Sequence, residues 1–255
     1  MLSNASREKI HSFRGWRAEV GLLVPVPWMC REWEVAAPEG IRFSKAVMEH
    51  EAHTSEALRA LAHDAEKEAK KLNQGQRCDL ICFCCTSGSF IGGQGYDQMI
   101  IEKIEKASDS PGTTTTTCVL EVLKDTNVKK MAIVGPYPES TLNEEINFLN
   151  NNGYEILYSR GLGYEKLTDY YEFGMDPFSS YKLVKDGAKS APKADCIFLT
   201  CGTSPLLGIA DFLESEIGKP VISSSSATLY GILKKLGIRD PIYNYGEVLR
   251  RERCI

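Results

Sequence analysis

Two cysteines that end two similar apolar runs are the residues whose spacing points most directly to chemistry. Cys85 comes after residues 79–83 (Asp-Leu-Ile-Cys-Phe) and is followed by Thr-Ser-Gly, whereas Cys201 comes after residues 196–200 (Cys-Ile-Phe-Leu-Thr) and is followed by Gly-Thr-Ser. Each pattern is typical of a buried strand that ends at a thiol before a helical segment. Two thiols in equivalent places can face each other across a cleft. That arrangement suits removal of a proton from one face of a small carbon acid and its return to the other face.

The surroundings of the two cysteines support this interpretation. A thiol at a strand end just before a helix lies near free backbone N–H groups, which predicts a pKa lowered from about 8.5. The short hydroxyl and glycine residues 86–88 and 202–204 predict donors for a carboxylate or an enediolate. Free cysteines are more often small buried hydrophobes, and Ser and Thr also cap helices. The repetition of the whole pattern favours the functional interpretation.

The rest of the chain alternates strand-like and helix-like segments, which predicts an α/β fold with parallel sheets. We expect two pseudo-symmetric, doubly wound lobes with the active site in the cleft between them, at the carboxyl ends of the strands. The predicted strands are residues 19–25, 79–84, 112–117, 130–135, 154–158, 196–200 and 220–224. The predicted helices are residues 55–72, 96–107, 119–124, 140–150, 177–188, 208–217 and 227–236.

Both halves repeat one order of events: strand, cysteine, helix, strand, hydroxyl run, helix. The hydroxyl runs are residues 113–117 and 223–226, and we expect them to be strand ends that help to line the site and to cap helices. The predicted division is a polar extension (1–17), a first lobe (18–125), a second lobe (126–240) and a tail (241–255). The C-terminal helix could pack on the first lobe.

Composition excludes several classes of protein. The 255 residues are 43% hydrophobic and carry a net charge of −4, so no basic surface indicates nucleic acid or an anionic membrane. No apolar run approaches the about 18 residues that cross a bilayer, and the polar start does not have the pattern of a secretory signal. Nine cysteines without an export signal favour free thiols and a cytoplasmic, reduced protein.

Metal, nucleotide and triad chemistry are also disfavoured. Cys82 and Cys84 have no second C-x-x-C partner, and strand alternation makes them core thiols. The four histidines all lie in the first quarter of the chain, away in sequence from both cysteine turns, and His50 and His53 are interpreted as ordinary surface or loop residues. Residues 92–95 (Gly-Gly-Gln-Gly) do not join a strand to a helix as a dinucleotide fingerprint does. We therefore expect no metal and no cofactor.

The two cysteine motifs resemble the aspartate/glutamate racemase superfamily, in the branch of maleate cis-trans isomerases and arylmalonate decarboxylases. The resemblance rests on residues 85–89 (Cys-Thr-Ser-Gly-Ser), 199–202 (Leu-Thr-Cys-Gly) and 218–224 (Gly-Lys-Pro-Val-Ile-Ser-Ser), with support from residues 21–25, 37–40 and 132–137. It covers the chain from about Val20 to Leu236. It implies a cofactor-free fold of two lobes and a homodimer as the typical assembly.

The resemblance also implies roles for particular residues. Cys85 and Cys201 would be the catalytic thiols, and the substrate carboxylate would be held by a set of residues around them. That set comprises Thr86, Ser87, Tyr137 and Gly202. Thr203 would also bind the substrate, and Pro25 would line the pocket at the mouth of the first strand.

Departures from the family pattern narrow the function. Arylmalonate decarboxylases have glycine at the position of Cys85, so two thiols favour isomerisation or racemisation. Residues 28–30 (Trp-Met-Cys) and 163–166 (Gly-Tyr-Glu-Lys) stand where maleate isomerases carry asparagines that hold a carboxylate, which argues against maleate itself. Trp28 either shapes the pocket for a flatter, less polar substrate or packs in a loop or interface.

The leading hypothesis is therefore a cofactor-independent isomerase, cis-trans isomerase or racemase, of a small carboxylate or dicarboxylate. The second is a malonate-type decarboxylase with Cys201 as proton donor. The third is a non-catalytic protein that binds a small acid.

Overall fold

Four parallel strands form the sheet of the first lobe. The computed structural model describes residues 15–50, 52, 54–75, 77–166, 168–172 and 175–253. The strands are β1 (Ala18–Val24), β2 (Ile41–Val47), β3 (Leu80–Phe83) and β4 (Gly112–Thr114), in the order β2-β1-β3-β4. Every residue of β1, β3 and β4 is buried, as expected of parallel strands that are covered on both faces.

The second lobe repeats this topology. Its strands are β5 (Lys130–Gly135), β6 (Glu155–Gly161), β7 (Cys196–Leu199) and β8 (Val221–Ser223), again all parallel and in the order β6-β5-β7-β8. The predicted α/β fold of two pseudo-symmetric lobes is confirmed. Because β3 and β7 occupy the same place in their sheets, Cys85 and Cys201 follow equivalent strands.

Helices connect the strands. In chain order they are α1 (Arg31–Ala36), α2 (Ser55–Gly75), α3 (Thr86–Phe90), α4 (Tyr96–Ser108), α5 (Thr115–Asp125), α6 (Glu139–Asn151), α7 (Asp169–Glu172), α8 (Pro177–Ser190), α9 (Ala210–Ile217), α10 (Ser224–Lys235) and α11 (Glu247–Arg250), with a 3₁₀ turn at Leu207–Ile209. In the part of the chain that is described, no helix has the length and apolarity that a bilayer crossing requires.

Two expectations about the elements need correction. Strand β2 was not predicted, because it lies at the edge of its sheet, is only half buried and lacks an apolar run. The hydroxyl runs are only partly strand: Thr114 and Ser223 end β4 and β8 and cap α5 and α10 through their side chains, and the helices then take up the remaining hydroxyl residues. The predicted caps are therefore confirmed, whereas the predicted strands are too long.

The two lobes meet where helix α5 of the first lobe packs against helix α10 of the second lobe. Gly231 of α10 lies so close to Cys118 of α5 that a Cβ on residue 231 would be 2.4 Å from the Cys118 sulfur. The indole N–H of Trp33, in α1, donates to Ser225 Oγ of α10 at 2.9 Å. The cleft between the lobes is thus fixed by buried contacts between them. The division at residues 18, 126 and 241 stays a prediction, and residues 1–14 lie outside the described residues.

Candidate active site

A cavity of about 20 Å³ lies at the carboxyl ends of the central strands of both sheets. All eight residues singled out from the sequence line it: Pro25, Cys85, Thr86, Ser87, Tyr137, Cys201, Gly202 and Thr203. Pro25 follows β1, Cys85 follows β3, Tyr137 follows β5 and Cys201 follows β7. The parallel topology therefore brings together residues that are more than 100 positions apart in the sequence.

Cys85 caps the five-residue helix α3 with extended backbone (φ −140°, ψ 110°). The backbone N–H of Gly88 donates to its sulfur at 3.3 Å, and Ser87 Oγ lies 3.7 Å away. Burial raises the pKa of the Cys85 thiol to about 11 and outweighs these two contacts, and the Cys201 sulfur raises it further. The expectation of a lowered pKa is wrong, because desolvation penalises the thiolate more than a short helix stabilises it.

Cys201 has a different backbone. Its φ is +74°, in the left-handed region that costs a non-glycine residue about 1–2 kcal/mol. A turn, not the expected helix, follows it, and the next regular segment is the 3₁₀ turn at Leu207. Thr203 Oγ1 lies 3.1 Å from the sulfur, and burial raises the pKa of this thiol too. The pseudo-symmetry of the lobes therefore breaks at the thiols themselves.

Hydroxyl groups supply the remaining polarity of the cavity. Thr86 is 2% exposed, and its Oγ1 has no hydrogen-bond partner among the described residues. A buried hydroxyl without a partner costs free energy, so a ligand oxygen at this position would relieve that cost. Tyr137 is fully buried, and burial raises its pKa well above the usual value, while hydrogen bonding with Ser87 opposes that rise.

Four further residues line the cavity that were not singled out from the sequence: Val26, Met29, His50 and Tyr170. His50 does lie in a loop, but it is half buried at the cavity, so its interpretation as an ordinary surface or loop residue missed its place beside the thiols. Burial lowers the pKa of its imidazole. Recognition of strand β2 in the sequence would have indicated the position of His50, because residues that follow parallel strands lie at the same carboxyl edge of the sheet. His53 lies outside the described residues.

A larger chamber of about 300 Å³ adjoins the small cavity. Both chambers share Met29, Tyr170, Gly202 and Thr203. The outer chamber is also lined by Trp28, Cys30, Arg31, Glu32, Met175, Ser204, Pro205 and Ser225. In the second hydroxyl run, Ser225 lines this chamber. The described residues that line either chamber do not include the threonines of the first run. Thr116 of that run instead contacts Ser89 at 2.5 Å.

Comparison with known proteins agrees with this geometry. The family model for arylmalonate decarboxylase matches residues 20–249. The chain belongs to the arylmalonate decarboxylase family. This confirms the resemblance to that branch of the aspartate/glutamate racemase superfamily.

Within the family the chain is similar to two kinds of enzyme. Maleate isomerase of Geobacillus stearothermophilus is 24% identical over 247 residues, which cover 90% of this chain and 96% of that protein. The structure of a liganded arylmalonate decarboxylase, with one glycine changed to cysteine and one cysteine to serine, has a TM-score of 0.82 at 23% identity and covers 91% of this chain and 98% of that one. A cysteine-to-serine variant of Nocardia farcinica maleate cis-trans isomerase, which holds a covalently bound succinylcysteine intermediate, has a TM-score of 0.78 at 20% identity, with the same coverage of 91% and 98%.

The family departures noted in the sequence have distinct places in the structure. Trp28, Met29 and Cys30 form a wall of the outer chamber, and the Met29 Cε lies 2.1 Å from where a Cβ on Gly202 would be. Lys166 is not among the described residues that line either chamber, and its backbone N–H donates to Asp169 at 2.8 Å. The first departure therefore alters the chamber next to the thiols, whereas the second does not add a side chain to it.

Proposed function

We propose that this protein is a cofactor-independent isomerase of a small carboxylic acid, with Cys85 and Cys201 as the paired catalytic thiols. The observation that supports this most strongly is that both thiols line one cavity, each at the end of an equivalent strand. The unpartnered Thr86 hydroxyl beside them is a donor for a substrate carboxylate.

Two routes use these groups. In the cis-trans route, the Cys85 thiolate adds to one carbon of a double bond, and the resulting carbanion takes the Cys201 proton. The single bond rotates, Cys201 removes the proton again, and the carbon–sulfur bond breaks to return the Cys85 thiolate and the trans acid. In the racemisation route, one thiolate removes an α-proton and the opposite thiol returns a proton to the other face.

Both routes begin with a thiolate, so the raised pKa values set the pH dependence. With a pKa of about 11, Cys85 is neutral at pH 7. Since kcat/KM reports the free enzyme, we expect it to rise with pH across the range from 6 to 9. An activity that is independent of pH over this range would contradict the assignment of Cys85 as the group that must lose its proton.

The decisive experiment is proton NMR in D₂O over a panel of cis-dicarboxylates, amino acids and arylmalonates. It reports isomerisation, solvent exchange and loss of carboxylate together. Wild type is compared with Cys85→Ala, Cys201→Ala and Cys196→Ala, the last being a matched control because Cys196 is buried at the start of β7, away from the cavity. We expect the first two variants to lose turnover and the control to keep it. Unchanged turnover in Cys85→Ala and Cys201→Ala would refute the proposal.

Decarboxylation is the second candidate, favoured by the family model that matches the chain. In this reaction loss of carbon dioxide leaves an enediolate, which the Cys201 thiol protonates. It predicts that Cys85→Gly keeps activity while Cys201→Gly loses it, the reverse of what a two-thiol isomerase requires of Cys85. A protein that only binds an acid would be stabilised by it without any exchange of its protons.

The outer chamber guides the choice of substrates. Maleate has no group to fill an additional 300 Å³, whose lining includes Trp28, Met29 and Met175 together with Arg31 and Glu32. We infer that the acid carries a flat or apolar substituent that extends into this chamber. The panel therefore pairs each small acid with its phenyl-substituted or alkyl-substituted analogue, and a lower KM for the substituted member is the expected result.

A further inference from the structure

Tyr170 is the one phenol among the described residues that contacts Cys201 and was not anticipated from the sequence. Its hydroxyl oxygen lies 3.9 Å from the Cys201 sulfur, within hydrogen-bond distance for sulfur. The side chain is only 9% exposed. Its ring packs edge-on against Tyr164, with 5.2 Å between the ring centroids and 73° between the ring planes. The phenol is thus held in a defined position beside the sulfur.

Hydrogen bonds also fix the start of helix α7, and Tyr170 is the second residue of that helix. The Asp169 carboxylate accepts the backbone N–H groups of Glu165 and Lys166 at 2.7 and 2.8 Å. These bonds close the loop immediately before Tyr170. The ring also lines both the thiol cavity and the outer chamber, so it stands where the two meet.

The two thiols have different donors, and Tyr170 accounts for part of the difference. Cys85 is contacted by a backbone N–H and by Ser87. Cys201 likewise has a backbone hydrogen bond and a hydroxyl contact, both from Thr203, but it also contacts Tyr170 and interacts with Tyr137, so two phenols distinguish its surroundings from those of Cys85. A phenol is a more acidic donor than an aliphatic alcohol and therefore stabilises a nearby thiolate more strongly.

We propose that Tyr170 is a catalytic residue whose hydroxyl donates a hydrogen bond to the Cys201 sulfur when that sulfur has given its proton to the substrate. This inference rests on the proposed function. The Cys201 S–H bond breaks, the proton moves to the substrate carbon, and the electron pair stays on sulfur. Tyr170 keeps its own proton throughout, so no further acid or base is consumed, and the sulfur is ready to take the next proton.

The titratable and charged groups around Tyr170 are Cys201, Tyr137 and Cys85, the neighbouring Tyr164, His50 in the thiol cavity, and Arg31 and Glu32 in the outer chamber. Only Cys201 accepts the proposed bond, so its ionisation is the property to measure. We would follow alkylation of Cys201 by iodoacetamide from pH 7 to 11, with mass spectrometry of the Cys201 peptide, in a Cys85→Ala background that removes the coupled thiol.

Tyr170→Phe removes the hydroxyl and keeps the ring, and Tyr164→Phe is the matched control on the neighbouring ring. We expect Tyr170→Phe to shift the alkylation profile of Cys201 to higher pH and, with Cys85 present, to lower kcat about 10- to 100-fold. Tyr164→Phe should leave both unchanged. Circular dichroism and the melting temperature establish that each variant is folded.

The outcomes separate this inference from the proposed function. If wild type turns over no acid in the panel but Tyr170→Phe still shifts the Cys201 profile, the proposed function fails while the contact to the thiolate stands, and Tyr170 loses its catalytic role. If wild type is active and Tyr170→Phe changes neither the profile nor kcat, the inference is overturned and the proposed function stands. An equal shift in Tyr164→Phe would overturn it as well, because ring packing would then explain the effect.

Discussion

Replacement of Glu145 by glutamine tests whether a buried carboxyl group below the Cys201 turn is neutral in the folded protein. Glu145 lies on α6, is 2% exposed and accepts a hydrogen bond at Oε1 from the Thr200 hydroxyl at 2.8 Å. Its Oε2 has no hydrogen-bond partner among the described residues. Burial raises its pKa from 4.5 to about 8. Glutamine keeps an oxygen for Thr200 and removes the titration.

The magnitude follows from proton linkage. Between pH 4.5 and 8 the folded chain binds a proton at Glu145 that the unfolded chain has lost, so stability falls as pH rises through this window. With pKa values of 4.5 unfolded and about 8 folded, the loss between pH 5 and pH 7 is about 2.5 kcal/mol. The Glu145→Gln variant lacks this loss. Its free energy of unfolding, relative to that of wild type, should therefore increase by about 2.5 kcal/mol from pH 5 to pH 7.

Urea unfolding at pH 5, 6, 7 and 8 measures the effect as a difference between the two proteins, so that other titrating groups cancel. Glu144→Gln is the matched control, since it makes the same chemical change at the neighbouring position on the same helix, where the side chain is exposed. Unfolding free energies of wild type and Glu145→Gln that run parallel with pH would refute the argument that burial keeps this carboxyl protonated.

Substitutions centred on three further positions test the backbone at the site and the packing between the lobes. Cys201→Gly and Cys201→Ala both remove the thiol, but only glycine suits φ +74°. We therefore expect the glycine variant to be about 1 kcal/mol more stable in urea unfolding. Equal stability would argue against the left-handed conformation. Gly231→Ala places a methyl group 2.4 Å from the Cys118 sulfur and should cost about 1–3 kcal/mol, with part recovered in a Cys118→Ala background; an unchanged urea midpoint would show that α5 and α10 do not pack so closely. Gly202→Ala should push Met29 toward the outer chamber and raise KM about tenfold. Adding Met29→Ala to this variant should restore the KM. A KM that responds to neither change would contradict the contact between Met29 and residue 202.

The sequence was a good guide to the fold because parallel strands that are buried on both faces carry long apolar runs. Seven of the eight strands in the described residues were predicted, and β5 had the same bounds in prediction and structure. Strand β2 was missed for the converse reason. This edge strand is half exposed, and Ile41 and Phe43 alternate with polar residues over only four positions, so neither an apolar run nor a sustained alternation marks it. Because β2 was not predicted, the position of His50 just after a strand end could not be inferred.

By itself, the sequence determined the two cysteine turns, their equivalence and the hydroxyl residues beside them, because residue types and local spacing carry that information. Only the tertiary structure decided how those groups are tuned. Burial, which sums over both lobes, raises the pKa of Cys85 against the local donors that would lower it. Tyr170 reaches Cys201 from a four-residue helix whose own sequence has no feature that indicates such a contact. Desolvation and long-range contact depend on the packing of segments that are far apart in the chain, so no local pattern reports them.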